Sequence, residues 1–204
     1  MRTTTILNPR FRATGRAARA GIFQPAGHAP PGRRNIARMG RVQQYWLMKS
    51  EPGECSIDDA LCAKDSTVPW TGVRHYQARN FLRDQVRLGD GVLFYHSSCA
   101  LPGIAGIAQI ASGAYPDPTQ FDRASPYFDP ASRPENPRWI LVDVRALRKT
   151  RLLPLAEMRS HKELAQMLIL RRGNRLSITP VTSAQWRFIT GRLLPVTPAG
   201  AAAR

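Results

Sequence analysis

Tyr45-Trp46-Leu47-Met48-Lys49-Ser50-Glu51-Pro52 is the stretch from which the fold is read. Four apolar residues run straight into a lysine, a serine, a glutamate and a proline, which predicts a short buried strand delivering a polar loop. Working outward, Leu88-Gly89-Asp90-Gly91 is a turn that feeds a second apolar strand, Val92 to Tyr95. Leu101-Pro102-Gly103 opens a third, Ile104 to Ile110, whose small residues suit a tightly curved wall. Trp139 to Leu147 begins fully apolar and then alternates, as a long strand leaving the core does, and Leu176 to Pro180 is a short terminal strand. Ser56 followed by Asp59 predicts a capping box for a helix over 57–64, and a second helix fits 76–85 with Phe81 and Leu82 on its buried side. Leu155 to Met158 and Lys162 to Leu170 read as helical, and Thr182 or Ser183 caps a last helix through Ile189 that Gly191 ends. Prolines 116, 118, 126, 130, 134 and 137 predict a long ordered loop or lid with no sheet element. Five to six short strands with small flanking helices fit an α+β barrel better than a parallel doubly wound sheet.

At 204 residues the chain holds one well-buried domain, or one domain plus tails. Its apolar fraction of 43% is ordinary and no apolar run approaches the roughly eighteen residues of a membrane span, so a soluble protein is expected. A formal charge of +16 favours polyanions: nucleic acid first, with anionic membranes and acidic proteins equally served by charge alone. Cys55, Cys62 and Cys99 lack a C-x-x-C pair or a His at ligand spacing, so reduced structural thiols are expected and neither a disulfide framework nor a metal site is suggested.

Residues 1–40 hold eight arginines and no acid, with few large apolar side chains, and are expected to be a disordered basic extension. A phosphate-touching arm, an Arg-rich transit peptide and an upstream extension of a frame starting at Met39 all fit that composition. The folded domain is expected over 41–194, followed by an Ala/Pro tail over 195–204.

Pocket-type residues gather in three places: Lys49-Ser50-Glu51, Trp70 to Asn80, and Tyr95 to Ser98 with Pro102-Gly103-Ile104. A reader of one nucleobase needs an aromatic wall, fixed donors and acceptors for the base edge, and cations for phosphates. Trp70, in a loop between Pro69 and Gly72, is the candidate wall, with a core position as its competing reading. Ser50, Thr71 and Ser97 are candidates for edge hydrogen bonds, or for satisfying backbone groups. Glu51, Tyr76, His96 and Ile104 complete the base-binding set, and Lys49, Arg74 and Arg79 are the candidate phosphate contacts. His96 beside Ser97 does not make a hydrolase, because strand neighbours point to opposite faces and no G-x-S-x-G turn surrounds the serine. No P-loop, dinucleotide fingerprint or H-E-x-x-H pair occurs, so no catalytic residue and no cofactor is assigned.

The words Tyr45 to Pro52, Trp70 to Asn80, Phe94-Tyr95-His96-Ser97 and Pro102 to Gly106 closely resemble the EVE domain. The likeness continues through Tyr115 to Phe121, Tyr127 to Pro130, Asn136 to Trp139 and Leu176-Ser177-Ile178, covering about residues 42 to 191. The resemblance implies a PUA-like barrel related to the ASCH and YTH domains, with a cavity for a modified base in DNA or RNA. It places Trp70 on one face of a base cage, Ser50 and Thr71 on the base edge, and Lys49 near a phosphate. Glu51 stands where YTH-like relatives often carry Asn, and an ionised carboxylate only accepts hydrogen bonds. The expectation is a non-enzymatic, monomeric nucleic-acid binding module that recognises a single modified base, with no membrane partner. It would be cytoplasmic, nucleoid-associated, or nuclear in a eukaryote. The alternatives are a PUA-type RNA-binding accessory factor indifferent to modification, and a small-molecule or nucleic-acid-processing enzyme.

Overall fold

The structure, a computed structural model, describes residues 42–195. The expectations for residues 1–40 and for 196–204 lie outside the described residues. Six strands form one mixed sheet: β1 (Tyr45–Ser50), β2 (Thr67–Pro69), β3 (Gly91–His96), β4 (Gly103–Ile110), β7 (Asp143–Pro154) and β8 (Ile178–Val181), in the order β2-β7-β4-β3-β1-β8. A two-residue ladder, β5 (Tyr115–Pro116) with β6 (Ile140–Leu141), lies apart from it. Four short helices are interspersed: α1 (Ile57–Cys62), α2 (Tyr76–Asp84), α3 (Leu155–Arg159) and α4 (Ser183–Phe188). The α+β class is as expected, but β2 and β8 are free edges of an open sheet, so the barrel is not closed.

At the centre β1 and β3 run parallel in register from Tyr45 opposite Gly91 to Ser50 opposite His96. Their side chains alternate between two cores. Trp46, Met48, Val92 and Phe94 pack on one face with Ile57, Ala60, Ala78 and Leu82 of α1 and α2. Leu47, Leu93 and Tyr95 pack on the other with Ile104, Leu153, Met158 and Ile189. Because the pleat has a period of two, Ser50 and His96 follow the first face while Lys49 follows the second. Irregular pairing bends β4 between Ile104 and Gly106 and between Ile107 and Ala108, which lets Ala105 and Ala108 share one face. Gly106 is required there, since a Cβ would sit 2.5 Å from the Ile57 side chain and 2.9 Å from the Arg148 carbonyl.

The capping box is present: Ser56 Oγ accepts from Asp59 N at 3.1 Å and the Asp59 carboxylate accepts from Ser56 N at 2.8 Å. Three boundaries differ from expectation. The proline-rich stretch does contain a strand, because Tyr115–Pro116 lies at an edge where proline's missing N–H is not needed. The segment 162–170 folds as two separate 3₁₀ turns, Lys162–Leu164 and Leu168–Leu170. Gly191 does not end the last helix, which widens into a π-turn over Ile189–Leu193. Among the described residues no helix is long and apolar enough to cross a membrane.

Candidate nucleic-acid interface

At the polar ends of β1 and β3 the expected edge donors are occupied by the backbone. The buried Ser50 hydroxyl donates to the Cys55 carbonyl, closing the turn into α1. The Ser50 carbonyl in turn accepts from Ser97 N at 2.7 Å and from the Ser97 hydroxyl at 3.3 Å. His96 Nε2 accepts from Ile57 N at 3.0 Å, one of the otherwise unpaired N–H groups at the start of α1. That acceptor role makes the ring neutral with its proton on Nδ1, in keeping with burial, which holds the His96 pKa below its ordinary value. Glu51 turns the chain, its carbonyl accepting from Glu54 N and Cys55 N.

The loop from Trp70 to His75 is where the sequence reading is both corrected and sharpened. Trp70 is in the core, with 0% of its surface exposed and its ring edge-on to Phe94 at 5.2 Å, so it offers no open face for stacking. The cause is apolar burial: Pro69 and Gly72 place it in a loop, but that loop is folded over the first core. Yet its indole Nε1 and the neighbouring Thr71 Oγ1 are both buried with no hydrogen-bond partner. Buried polar side chains almost always have a partner, so two orphans on consecutive residues set this loop apart from the rest of the described fold.

Arg74, the expected phosphate contact, has its guanidinium engaged within the fold. Its Nη1 reaches the fully buried Asp117 carboxylate at 2.7 Å, its Nη2 donates to Thr119 Oγ1 and the Tyr127 carbonyl, and its Nε also reaches that carbonyl. A guanidinium has five N–H donors in a fixed fork, and these are turned inward. Asp117 also accepts from Gly72 N at 3.0 Å, and Gly72 takes a positive φ of 78° in this loop. The Tyr127 hydroxyl completes the arrangement by donating to both oxygens of Glu54, at 3.1 and 2.8 Å. The long loop over 117–139 is thus tied to the loop after β1 through Glu54 and to the loop after β2 through Arg74. Burial and the nearby Glu51 raise the Glu54 pKa, while the Tyr127 hydrogen bond opposes them.

Lys49 and Ile104 belong to the other face of the sheet. Ile104 is fully buried in the second core and cannot touch a ligand as it stands, which corrects its assignment. Lys49 is half-buried, its ammonium has no partner among the described residues, and desolvation lowers its pKa. The eight base-binding candidates and three cations therefore do not converge on one cavity. Tyr76 and Arg79 lie elsewhere again, on α2. Tyr76 is 53% exposed, with Trp139 beneath it at 5.1 Å and the Arg79 guanidinium 4.9 Å over its ring. Asp117, Tyr127 and Glu54 were missed in the sequence. The signal for the first was Asp117-Pro118-Thr119, where the carboxylate caps a turn through Thr119 N at 2.9 Å.

The described residues thus form a small α+β domain built on an open mixed sheet, with a strapped loop carrying orphaned polar atoms and a helix bearing Tyr76, Arg79 and Arg83. The EVE domain model matches residues 44–192, and the chain belongs to the EVE domain family. It is 42% identical to human thymocyte nuclear protein 1 over 72% of this chain and 73% of that protein. The human THYN1 protein solved in complex with 5-methylcytosine-containing DNA superimposes with a TM-score of 0.68 at 44% identity, covering 72% of this chain and 95% of that one. A crystal structure of a Pseudomonas putida protein gives 0.68 at 46% identity, over 71% and 96% respectively.

Proposed function

We propose that this chain is a non-enzymatic nucleic-acid binding module that takes one modified nucleobase, a methylated cytosine in DNA being the first candidate. The observation that carries the reading is the pair of buried, unpartnered groups, Trp70 Nε1–H and the Thr71 hydroxyl. Together they offer at least two donors and one acceptor, enough for a base edge. The relative solved with 5-methylcytosine DNA supports the choice of ligand. In this reading Trp70 contributes its N–H and not a stacking face, and the strapped loop must lift for the base to enter. Extruding a base from a duplex costs a few kcal/mol, so a single strand or a destabilised pair is the preferred source. Lys49, without a counter-charge among the described residues, is available to meet a phosphate. The absence of catalysis is supported by the bonding of the two nucleophilic-looking residues: the Ser97 hydroxyl donates to a backbone carbonyl, and the acceptor nitrogen of His96 is held by the backbone.

Fluorescence polarisation with matched oligonucleotides tests this. The 5-methylcytosine strand should bind more tightly than its unmodified twin, and Trp70→Phe, which keeps the apolar ring and removes the N–H, should weaken both strands, because the methyl leaves the hydrogen-bonding edge of the base unchanged. Equal affinities for modified and unmodified DNA and RNA would replace the proposal with that of an RNA- or DNA-binding factor blind to modification.

A further inference from the structure

The face of α2 carries a groove that the base reading leaves unused. Tyr76, Arg79 and Arg83 recur at helical spacing on one side of α2, and Ala131, Asn136, Pro137, Arg138 and Ile140 form the facing wall of a cavity of about 290 Å³. Three arginines line this one groove. Arg83 is paired with Asp84 at 2.7 Å and Arg138 with Asp129 at 3.3 Å, while Arg79 binds only the neutral oxygens of Asn80 and of the Arg138 carbonyl. The groove is therefore positive after its two carboxylates are counted. Arg83 Nη1 and the Nε and Nη2 of Arg138 hold no partner among the described residues, so donors remain for a ligand.

Beside these cations lies an aromatic ring that the fold exposes. Tyr76 is 53% exposed, and its ring is supported from below by Trp139, so it is a fixed platform and not a loose side chain. Arg79 lies over the same ring, and Trp139 is itself held by its Nε1–H donating to Asp129 at 2.7 Å. An aromatic platform next to guanidinium groups is the combination that binds single-stranded nucleic acid: bases stack on the ring and phosphates meet the cations. An acidic peptide would use the charges and leave the ring idle.

We propose that this groove is a second, sequence-tolerant subsite that holds the unpaired nucleotide flanking the recognised base, with the flanking base stacked on Tyr76 in the place the Arg79 guanidinium now takes, and its phosphates on the displaced Arg79 and on Arg83 and Arg138. The subsite rests on the nucleic-acid reading and not on recognition of a modification. It implies a strand that approaches open and unpaired, because a stacked base pair cannot present a free face to Tyr76.

The test uses the full chain and the unmodified probe (dT)10, so base modification plays no part. A single 5-iodo-deoxyuridine placed in the probe should photo-crosslink to Tyr76, found in the tryptic peptide spanning residues 75–79. Tyr76→Ala should weaken (dT)10 about tenfold, Tyr76→Phe should bind as wild type, and the triple change of Arg79, Arg83 and Arg138 to Gln should lower the salt slope by about two. The arginines of residues 1–40 give a background that these variants share, so the difference between variants is the readout. Wild-type affinity in Tyr76→Ala, or crosslinks confined to other peptides, overturns the subsite. Competition by poly-glutamate as effective as that by (dT)10 overturns it in favour of an acidic-peptide site. Variants that weaken modified and unmodified strands alike support the subsite even where no preference for 5-methylcytosine is found, a result that would sink the base reading alone.

Discussion

Replacing Arg74 by Met is the sharpest test of the loop strap, because the two roles open to this arginine give opposite results. In the structure the Asp117 carboxylate has zero exposure and accepts from Arg74 Nη1 at 2.7 Å, Gly72 N at 3.0 Å, Thr119 N at 2.9 Å and Thr119 Oγ1 at 2.6 Å. Removing the guanidinium strands a buried anion, which typically costs about 3–5 kcal/mol. The three neutral donors that remain hold the loss towards the lower end of that range. The Tyr127 carbonyl, which accepts from Nε and Nη2, loses both donors and adds about 1 kcal/mol. A total near 4 kcal/mol is a large share of the roughly 5–15 kcal/mol that stabilises a domain. Equilibrium urea unfolding of the full chain reads it as a lower midpoint. Arg79→Met, whose guanidinium meets only neutral oxygens at the edge of the groove, is the control and should lose less than about 1 kcal/mol. Adding Asp117→Asn to Arg74→Met removes the stranded charge but sets the amide NH2 against a backbone N–H that the carboxylate accepted from, so the double variant should lose less than the sum of the two single changes. An Arg74→Met protein with the wild-type midpoint but a shallower salt dependence of nucleic-acid binding would refute the strap and restore Arg74 to the phosphates.

Three further outcomes follow from named contacts. Lys49→Met should leave stability unchanged or raise it by up to about 1 kcal/mol in thermal unfolding, since a half-buried ammonium without a counter-charge is replaced by an apolar chain, while affinity for DNA falls. Gly106→Ala should destabilise by about 1–3 kcal/mol, because the new methyl overlaps Ile57 and the Arg148 carbonyl; an unaffected melting temperature would mean that α1 shifts freely. His96→Gln keeps an acceptor for Ile57 N without a titrating group. Burial lowers the folded-state pKa of His96, so the unfolded chain takes up the proton first and wild-type stability falls as pH drops below about 6.5. His96→Gln should lack that loss; Glu54, raised by burial, acts in the opposite sense in both proteins and cancels. Parallel stability profiles from pH 8 to 5 would remove His96 from the account.

The sheet was legible because its strands announce themselves by short apolar runs ending in turn residues: Tyr45–Ser50, Gly91–His96 and Gly103–Ile110 fall within a residue or two of expectation. Closure was not legible, since it depends on whether β2 and β8 meet, and neither edge carries a local sign of its neighbour. The site failed for a related reason. Lys49 and Ser50 are adjacent in sequence and read as one polar cluster, but the period-two pleat sends them to opposite faces. Trp70 and Arg74 sit in a loop, where exposure is the ordinary expectation. Trp70 is buried by the first core, and what turns Arg74 inward is Asp117 and Tyr127, 43 and 53 residues downstream, contacts so distant in sequence that they leave no periodic trace.

The burial of Trp70 also changes the energetics expected of the base site. Each of the two orphaned groups costs about 1–3 kcal/mol while it lacks a partner. A ligand that satisfies both recovers that cost, and the gain is comparable with the few kcal/mol needed to extrude a base. Against it stands the opening of the strap, whose Tyr127–Glu54 and Arg74–Asp117 contacts must yield in part. Binding should then be weak and slow to begin for any strand that cannot reach the orphans. A methyl group adds only the transfer of about one carbon, roughly 0.8 kcal/mol, so discrimination by apolar contact alone is at most a few-fold. A larger preference would require that the modified base, and not its unmodified counterpart, holds the strap open. Trapping the strap by a substitution that strengthens Tyr127–Glu54 or Arg74–Asp117 should therefore lower affinity and preference together, whereas a rigid preformed pocket would lose neither.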